Sequence, residues 1–213
     1  MQLNEKIGTL PPSRTNEAVD MFARAFFENP AWRWTLPDPG RRERVLRFFY
    51  RAAIRYAFRH GELVATAGDV RGAAIVLPPE RARLDGGGLS RAGLWQLPFR
   101  AGPRGFARFF AQSRAFEERQ DRDAPPQHTY LWEIGVDPAH QGRGIGTSVL
   151  GAVIRRCDAI GAPIYIDTTD ERNLSLYLRH GFRVKHHASF APGACRFWTL
   201  LRDPEAGASP TTH

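Results

Sequence analysis

The chain carries two cysteines, Cys157 and Cys195, far apart along its 213 residues. Two such thiols build neither a disulfide framework nor a zinc site. Cys157 falls on an apolar helical face, where a thiol serves as packing. The seven histidines are scattered, and His186 and His187 are neighbours in a strand, so they point to opposite faces and make no metal pair. No metal is expected. No apolar run approaches the roughly 18 residues of a membrane helix. The opening stretch, MQLNEKIGTLPPSR, lacks the apolar core of a signal peptide, which leaves a cytoplasmic location as the default. Lysine is nearly missing as well: Lys6 and Lys185 stand against a large excess of arginine, and the formal net charge is +8. That balance favours anionic partners. GC-rich coding also replaces lysine by arginine, so the position of the charge says more than its sum.

What is present reads as one domain with room for a sizeable core. Residues 15–28 place Val19, Phe22, Ala23, Phe26 and Phe27 at helical spacing. The prolines of NPAWRWTLPDPG (29–40) predict a loop. Residues 41–60 predict a helix with Arg44, Arg47, Arg51 and Arg55 on one solvated face. ELVATAG (62–68) and VRGAAIVLPP (70–79) read as a hairpin, and ERARLDGGGLS (80–90) as a flexible link. Residues 89–120 predict two helical segments broken at Pro98 and around Gly102, Pro103 and Gly105. Their mixture of arginine and phenylalanine suits a cover over a core or pocket, or an interfacial helix. ERQDRDAPPQ (118–127) reads as a surface loop. HTYLWEIGV (128–136) is a strand. Residues 144–160 predict a helix burying Ile145, Val149, Leu150, Val153, Ile154, Cys157 and Ile160, closed by Gly161. PIYIDTT is a strand, RNLSLYLRHG a short helix stopped by Gly181, and FRVKHHASF and CRFWTLL two further strands. This order predicts an α/β chain with a mixed sheet and helices packed on it.

In VDPAHQGRGIG (136–146), three alternating glycines stand between a strand and a helix, and glycine weakens both elements. A helix N-terminus offers unpaired N–H groups and partial positive charge. Side chains of hydrogen let an anion approach them, so the stretch reads as a phosphate or pyrophosphate cradle with Arg143 as an added cation. It is not a Walker A loop, because no lysine follows the glycines. It is an imperfect dinucleotide fingerprint, because Thr147 stands where the last glycine belongs.

Gln141-Gly142-Arg143-Gly144-Ile145-Gly146 resembles the Q/R-x-x-G-x-G/A loop of the GNAT acyl-CoA-dependent N-acyltransferases. RNLSLYLRHGF (172–182) resembles the later family segment in which an asparagine precedes a tyrosine and the helix ends in Gly-Phe. More loosely, AFFENPAWRW (25–34), GAAIVLPPE (72–80) and DTTDERNLSLYLRHGF (167–182) resemble the puromycin N-acetyltransferase branch in order and spacing.

The resemblance implies a single GNAT-like domain over residues 1–202, with 130–184 as the acetyl-CoA-binding and catalytic core and 203–213 as a disordered tail. It implies a mostly antiparallel sheet covered on both faces, with a splayed strand pair for the CoA arm. Acetyl-CoA is the implied cosubstrate, held by Val136, Gln141, Gly142, Arg143, Gly144, Ile145, Gly146, Thr147 and Asn173. Asn173 also reads as a helix N-cap. Glu133 and Asp167 are the carboxylates placed to take the amine's proton, and Tyr177 the phenol placed to protonate the leaving thiolate. Trp32 and Trp34 could line an amine pocket. The expected activity is acetyl transfer to a primary amine of a small molecule, with a homodimer allowed and neither nucleic acid nor membrane expected. A protein N-terminal or lysine acetyltransferase, and a non-catalytic acyl-CoA-binding or basic nucleic-acid-binding domain, are the alternatives.

Overall fold

The computed structural model describes residues 6–190 and 195–205. Seven strands form one sheet in the order β1-β2-β3-β4-β5-β7-β6. They are β1 Ile7–Thr9, β2 Glu62–Thr66, β3 Gly72–Leu77, β4 Thr129–Val136, β5 Ile164–Thr168, β6 Arg183–Ser189 and β7 Arg196–Arg202. Every neighbouring pair is antiparallel except β4 and β5. The helices are α1 Thr15–Ala25, α2 Pro30–Thr35, α3 Pro39–His60, α4 Gly86–Arg91, α5 Leu97–Asp123, α6 Ile145–Ala159 and α7 Leu174–Arg179.

Strand alternation splits the core into two layers. In β3, Ala73, Ile75 and Leu77 face the cluster built with α1 and α3, while Ala74 and Val76 face the cluster built with α6 and α7. The expected helices on both faces of a mixed sheet are therefore present, and the chain is a single α/β domain. The sheet's central irregularity is a bulge. Ile75 pairs with Glu133 and Val76 with Leu131, so Trp132 is the extra residue.

The sheet also opens beside that bulge. Strands β4 and β5 pair only at Thr129–Ile164 and Tyr130–Tyr165, and beyond those positions they part. The edge of β4 from Leu131 to Val136 that faces β5 is left without a strand partner. The splayed pair implied by the resemblance is thus a feature of this sheet.

Several local expectations are corrected. The stretch 29–40 is not all loop: Asn29 accepts from the N–H groups of Ala31 and Trp32 at 3.0 and 3.4 Å, Pro30 opens the first turn, and α2 forms. The supposed flexible link contains α4, capped by Asp85 through Gly87 and Gly88 at 3.0 and 2.8 Å. Pro98 does not break a helix; it sits in the first turn of α5, where no N–H is needed. The break falls at Gly102, whose φ of 73° lies outside the helical region just before Pro103. α5 then runs to Asp123, absorbing most of the expected surface loop. Ile160 lies beyond the end of α6 and is exposed rather than buried. Asp203 and Glu205, expected to begin a disordered tail, are tied down, to Arg183 and to Asp158 respectively. The rest of that tail, 206–213, lies outside the described residues. Among the described residues no helix is long and apolar enough to cross a membrane.

Candidate active site

The bulge decides which carboxylates meet. Unbroken alternation would put Tyr130 and Glu133 on opposite faces of β4. The extra residue at Trp132 brings both to the α1/α3 face, where Asp167 of β5 also points. Tyr130 Oη donates to Asp167 Oδ2 at 2.7 Å, and Tyr50 Oη of α3 donates to Glu133 Oε2 at 3.3 Å. Burial raises both carboxyl groups. Glu133 is pushed up to about 8 by burial and then by the Asp167 charge, and Asp167 to about 7 by burial.

Tyr130, Glu133 and Asp167 line a cavity of about 250 Å³. Its walls include the aromatic rings of Phe26, Trp32, Phe49, Phe106, Phe109 and Phe116. Helices α4 and α5 cover it with Leu89, Phe110 and Glu117. Ile134 and Ile166 from the parted strands reach the same cavity, as do Asn173 and Tyr177. The aromatic-walled cavity and the gap between β4 and β5 are therefore one continuous space. Thr169 Oγ1 donates to Asn29 Oδ1 at 3.1 Å, joining the end of β5 to the cap of α2 across it.

At the open end of β4 the backbone changes direction. Asp137 N–H donates to Arg71 O at 2.8 Å on the β3 side. By strand alternation the N–H and C=O of Val136 face the other way, into the gap. Gln141 Nε2 donates to that carbonyl at 3.2 Å. The Asp137 carboxylate caps the turn 138–140 through Ala139 N–H at 3.0 Å, and Arg24 holds it with two bonds of 2.8 and 2.6 Å. Burial, the largest single influence, pushes the Asp137 carboxyl up, but the bonds from Arg24 and the Ala139 N–H and the Arg24 charge together outweigh it, and the group stays below its ordinary value. The following loop is exposed. Gly142 and Gly144 have φ of 75° and 81°, the left-handed region that glycine enters without strain. Gly144 caps α6, and the helix's first bond runs from Ser148 N–H to Gly144 O. The N–H groups of Ile145, Gly146 and Thr147 precede it and have no helical acceptor. An anion-sized group with oxygen acceptors fits this cradle.

Residues 20–182 match the acetyltransferase (GNAT) family. The chain belongs to that family. An uncharacterised N-acetyltransferase of Schizosaccharomyces pombe is 28% identical over 138 residues, which cover 61% of this chain and 54% of that relative. The chain thus spans about half the length of the curated relative it matches. Among solved structures, one described as histone acetyltransferase HPA2 and related acetyltransferase, from Corynebacterium glutamicum, superimposes with a TM-score of 0.67. It is 18% identical, covering 99% of this chain and 100% of its own. Arylalkylamine N-acetyltransferase 2 from Aedes aegypti gives 0.63 at 12% identity, covering 95% and 100%. Likenesses this remote speak for the fold.

Within this GNAT domain, Glu133, Asp167, Asn173 and Tyr177 come together around one cavity, while Gln141 to Thr147 form the cradle at the mouth of the gap. Asn173 is already helical and its side chain makes no cap bond, so the N-cap role falls away. Trp32 lines the cavity. Trp34 does not: it stacks on Phe190, with their centroids 5.8 Å apart. Sequence reasoning missed Tyr50 and Tyr130, the hydroxyl partners of the two carboxylates, and Glu117 in the cover. For Tyr130 the only signal was its place three residues before Glu133, which simple alternation misreads.

The cradle makes a testable demand. A Cβ at Gly144 would meet nothing within 4 Å, so a substitution there costs backbone strain alone. The exposed loop can relax away from the left-handed region until a ligand requires it. Gly144→Val is therefore expected to weaken acetyl-CoA binding by about ten-fold, the equivalent of 1–2 kcal/mol of strain, with little change in melting temperature. Calorimetric titration beside a thermal melt checks it.

Proposed function

We propose that this chain transfers the acetyl group of acetyl-CoA directly to the primary amine of a small molecule with an apolar or aromatic body. The observation that carries this reading is the pair of raised carboxylates set in an aromatic cavity continuous with the β4–β5 gap. An ammonium ion with a pKa near about 10 must lose a proton before its nitrogen can attack. Passing it to an ordinary carboxylate is uphill by about 8 kcal/mol. Passing it to a group near 7 or 8 is uphill by about 3–4 kcal/mol. Glu133 and Asp167 thus suit both tasks, holding the cation and accepting its proton.

The residues present fit acetyl-CoA. The N–H groups of Ile145 to Thr147, with Gln141, Gly142, Arg143 and Gly144, would hold the pyrophosphate. The free β4 edge would pair with the pantetheine arm as an added strand does. Bound there, the cosubstrate supplies the acyl group. The Val136 N–H, aimed into the gap, would stabilise negative charge on the acyl oxygen. Tyr177 Oη would hold the proton for the departing sulfur. Asn173, on the same short helical stretch, would contact the arm.

The α4–α5 cover and the aromatic walls support a small amine over a protein N-terminus or lysine, which would need an open groove. The name of the Aedes aegypti structure suits an amine on an aromatic body. Residues 25–34, 72–80 and 167–182, in that order, support the puromycin-type branch.

The test is calorimetry with acetyl-CoA, then thiol release against a panel of arylalkylamines, linear polyamines and lysine peptides. Saturable acetyl-CoA binding is expected, with kcat/KM for arylalkylamines at least about ten-fold above the others. No acetyl-CoA binding would refute the cradle. Turnover with polyamines or peptides alone would refute the acceptor.

A further inference from the structure

Between Asp85 and Glu117 the chain has no acidic residue and five arginines, Arg91, Arg100, Arg104, Arg108 and Arg114. The same segment carries every large aromatic side chain that is exposed among the described residues: Trp95 at 61%, Phe99 at 83% and Phe110 at 54%. The pattern is amphipathic. Leu97 and Ala101, one turn apart before the break at Gly102, are buried against the body, as is Gly105 beyond it. Trp95, in the 3-10 turn Leu94–Gln96 just before α5, and Phe99, in the first turn of α5, are left exposed.

The surrounding charge is only partly compensated. Arg91 reaches Asp85 at 3.6 Å and Arg114 reaches Glu118 at 3.3 Å. Arg100, Arg104 and Arg108 have no carboxylate partner among the described residues. Arg100 lies over the Phe48 ring at 4.4 Å and bonds Gln96, and Arg108 donates to the Trp34 carbonyl. Arg41 of α3 adds a further guanidinium beside Gly102, where a Cβ would stand 3.1 Å from its Nη1. Glu43, the acidic residue of α3, is drawn to Arg47 instead.

We infer that this segment docks on the surface of an anionic lipid bilayer. Trp95 and Phe99 would enter the headgroup boundary, and Arg41, Arg100 and Arg104 would meet lipid phosphates. Apolar side chains standing proud of a helix, ringed by unpaired arginine, match such a surface in both polarity and charge. The cover over the cavity belongs to the same segment: Phe110 is exposed and also lines the cavity. An apolar amine dissolved in the bilayer would then have a short apolar path inward. The docking itself does not depend on the catalytic reading. It departs from the expectation of no membrane partner and takes up the interfacial helix that the segment's mixture of arginine and phenylalanine left open.

The experiment is flotation of the purified chain with vesicles of phosphatidylcholine alone and of phosphatidylcholine with phosphatidylglycerol, at low and high salt. Binding to the anionic vesicles only, weakened by salt, is expected. Arg100→Gln with Arg104→Gln should weaken it about 25-fold, about five-fold for each arginine. Trp95→Ser with Phe99→Ser should weaken it at least about ten-fold. None of these four side chains lines the cavity, so acetyl-CoA binding should persist in both variants. Failure to float with anionic vesicles would overturn the inference. So would binding insensitive to the aromatic pair and fully displaced by single-stranded RNA, which would mark a bare polyanion surface. A dimer in sedimentation that Trp95→Ser dissociates would also overturn it, since a second copy would then cover the patch.

Discussion

Tyr177→Phe is expected to lower kcat by about 10²- to 10⁴-fold while leaving acetyl-CoA affinity within about three-fold. The phenol is buried, lines the cavity shared by Glu133 and Asp167, and packs on Phe182 with centroids 5.7 Å apart. Burial, followed by the charges of Asp167, Glu133 and Asp170, raises its pKa above the ordinary phenol value. The hydroxyl therefore keeps its proton throughout the working pH range. A bound ammonium would offset part of the carboxylate charge and ease that proton's release as the carbon–sulfur bond breaks. Phenylalanine retains the ring and the contact with Phe182, so a purely structural Tyr177 would leave kcat almost unchanged and the melting temperature near wild type. Single-turnover thiol release beside calorimetry separates the two roles. A loss confined to kcat marks the proton donor, whereas an unchanged kcat would remove Tyr177 from the mechanism.

The legibility of this site followed from how local each signal was. The glycine cradle was readable because strand, turn and helix N-terminus are contiguous in sequence, and the two positive φ values fall within it at Gly142 and Gly144. The helix ending at Gly181 was readable for the same reason, with a φ of 82° at its stop. The pairing of Glu133 with Asp167 could be guessed from family spacing. Its hydroxyl partners could not, because Tyr130 reaches the cavity only through the bulge at Trp132 and Tyr50 comes from a helix 83 positions away. The covering helices were misjudged for another reason. Proline and glycine read as breakers at 29–40, at 80–90 and at Pro98, yet Pro30 and Pro98 occupy first turns, and Asn29 and Asp85 supply caps. The residues are the right ones for a helix start, but behind Asn29 and Asp85 the helices α2 and α4 are too short for an apolar pattern to register.

The same burial that tunes the two carboxylates sets a second large effect, in which activity and stability move in opposite directions. Asp167→Asn and Glu133→Gln keep acceptors for Tyr130 and Tyr50 but remove the proton sink. Each is expected to lower kcat/KM by about 10²-fold or more. In the wild type, activity should climb as pH rises through about 7 to about 8, because the carboxylates accept a proton only when ionised. In Asp167→Asn the remaining limb should move to lower pH, since the Asp167 charge is one cause of Glu133's raised value. Stability has the reverse sign. A carboxyl whose folded pKa lies above its unfolded value favours the folded state fully below the unfolded pKa, near about 4, and loses that advantage as pH rises through the folded value. The wild-type melting temperature should therefore fall between about pH 5 and pH 9, relative to the double variant. At pH 8.5 the double variant should melt about 5 °C higher than wild type. Thermal melts across that range, beside the pH–rate profile, test both halves together. A flat rate profile from pH 6 to 9, or a double variant that melts lower at pH 8.5, would show that these carboxylates are not held at the expense of the fold for proton transfer.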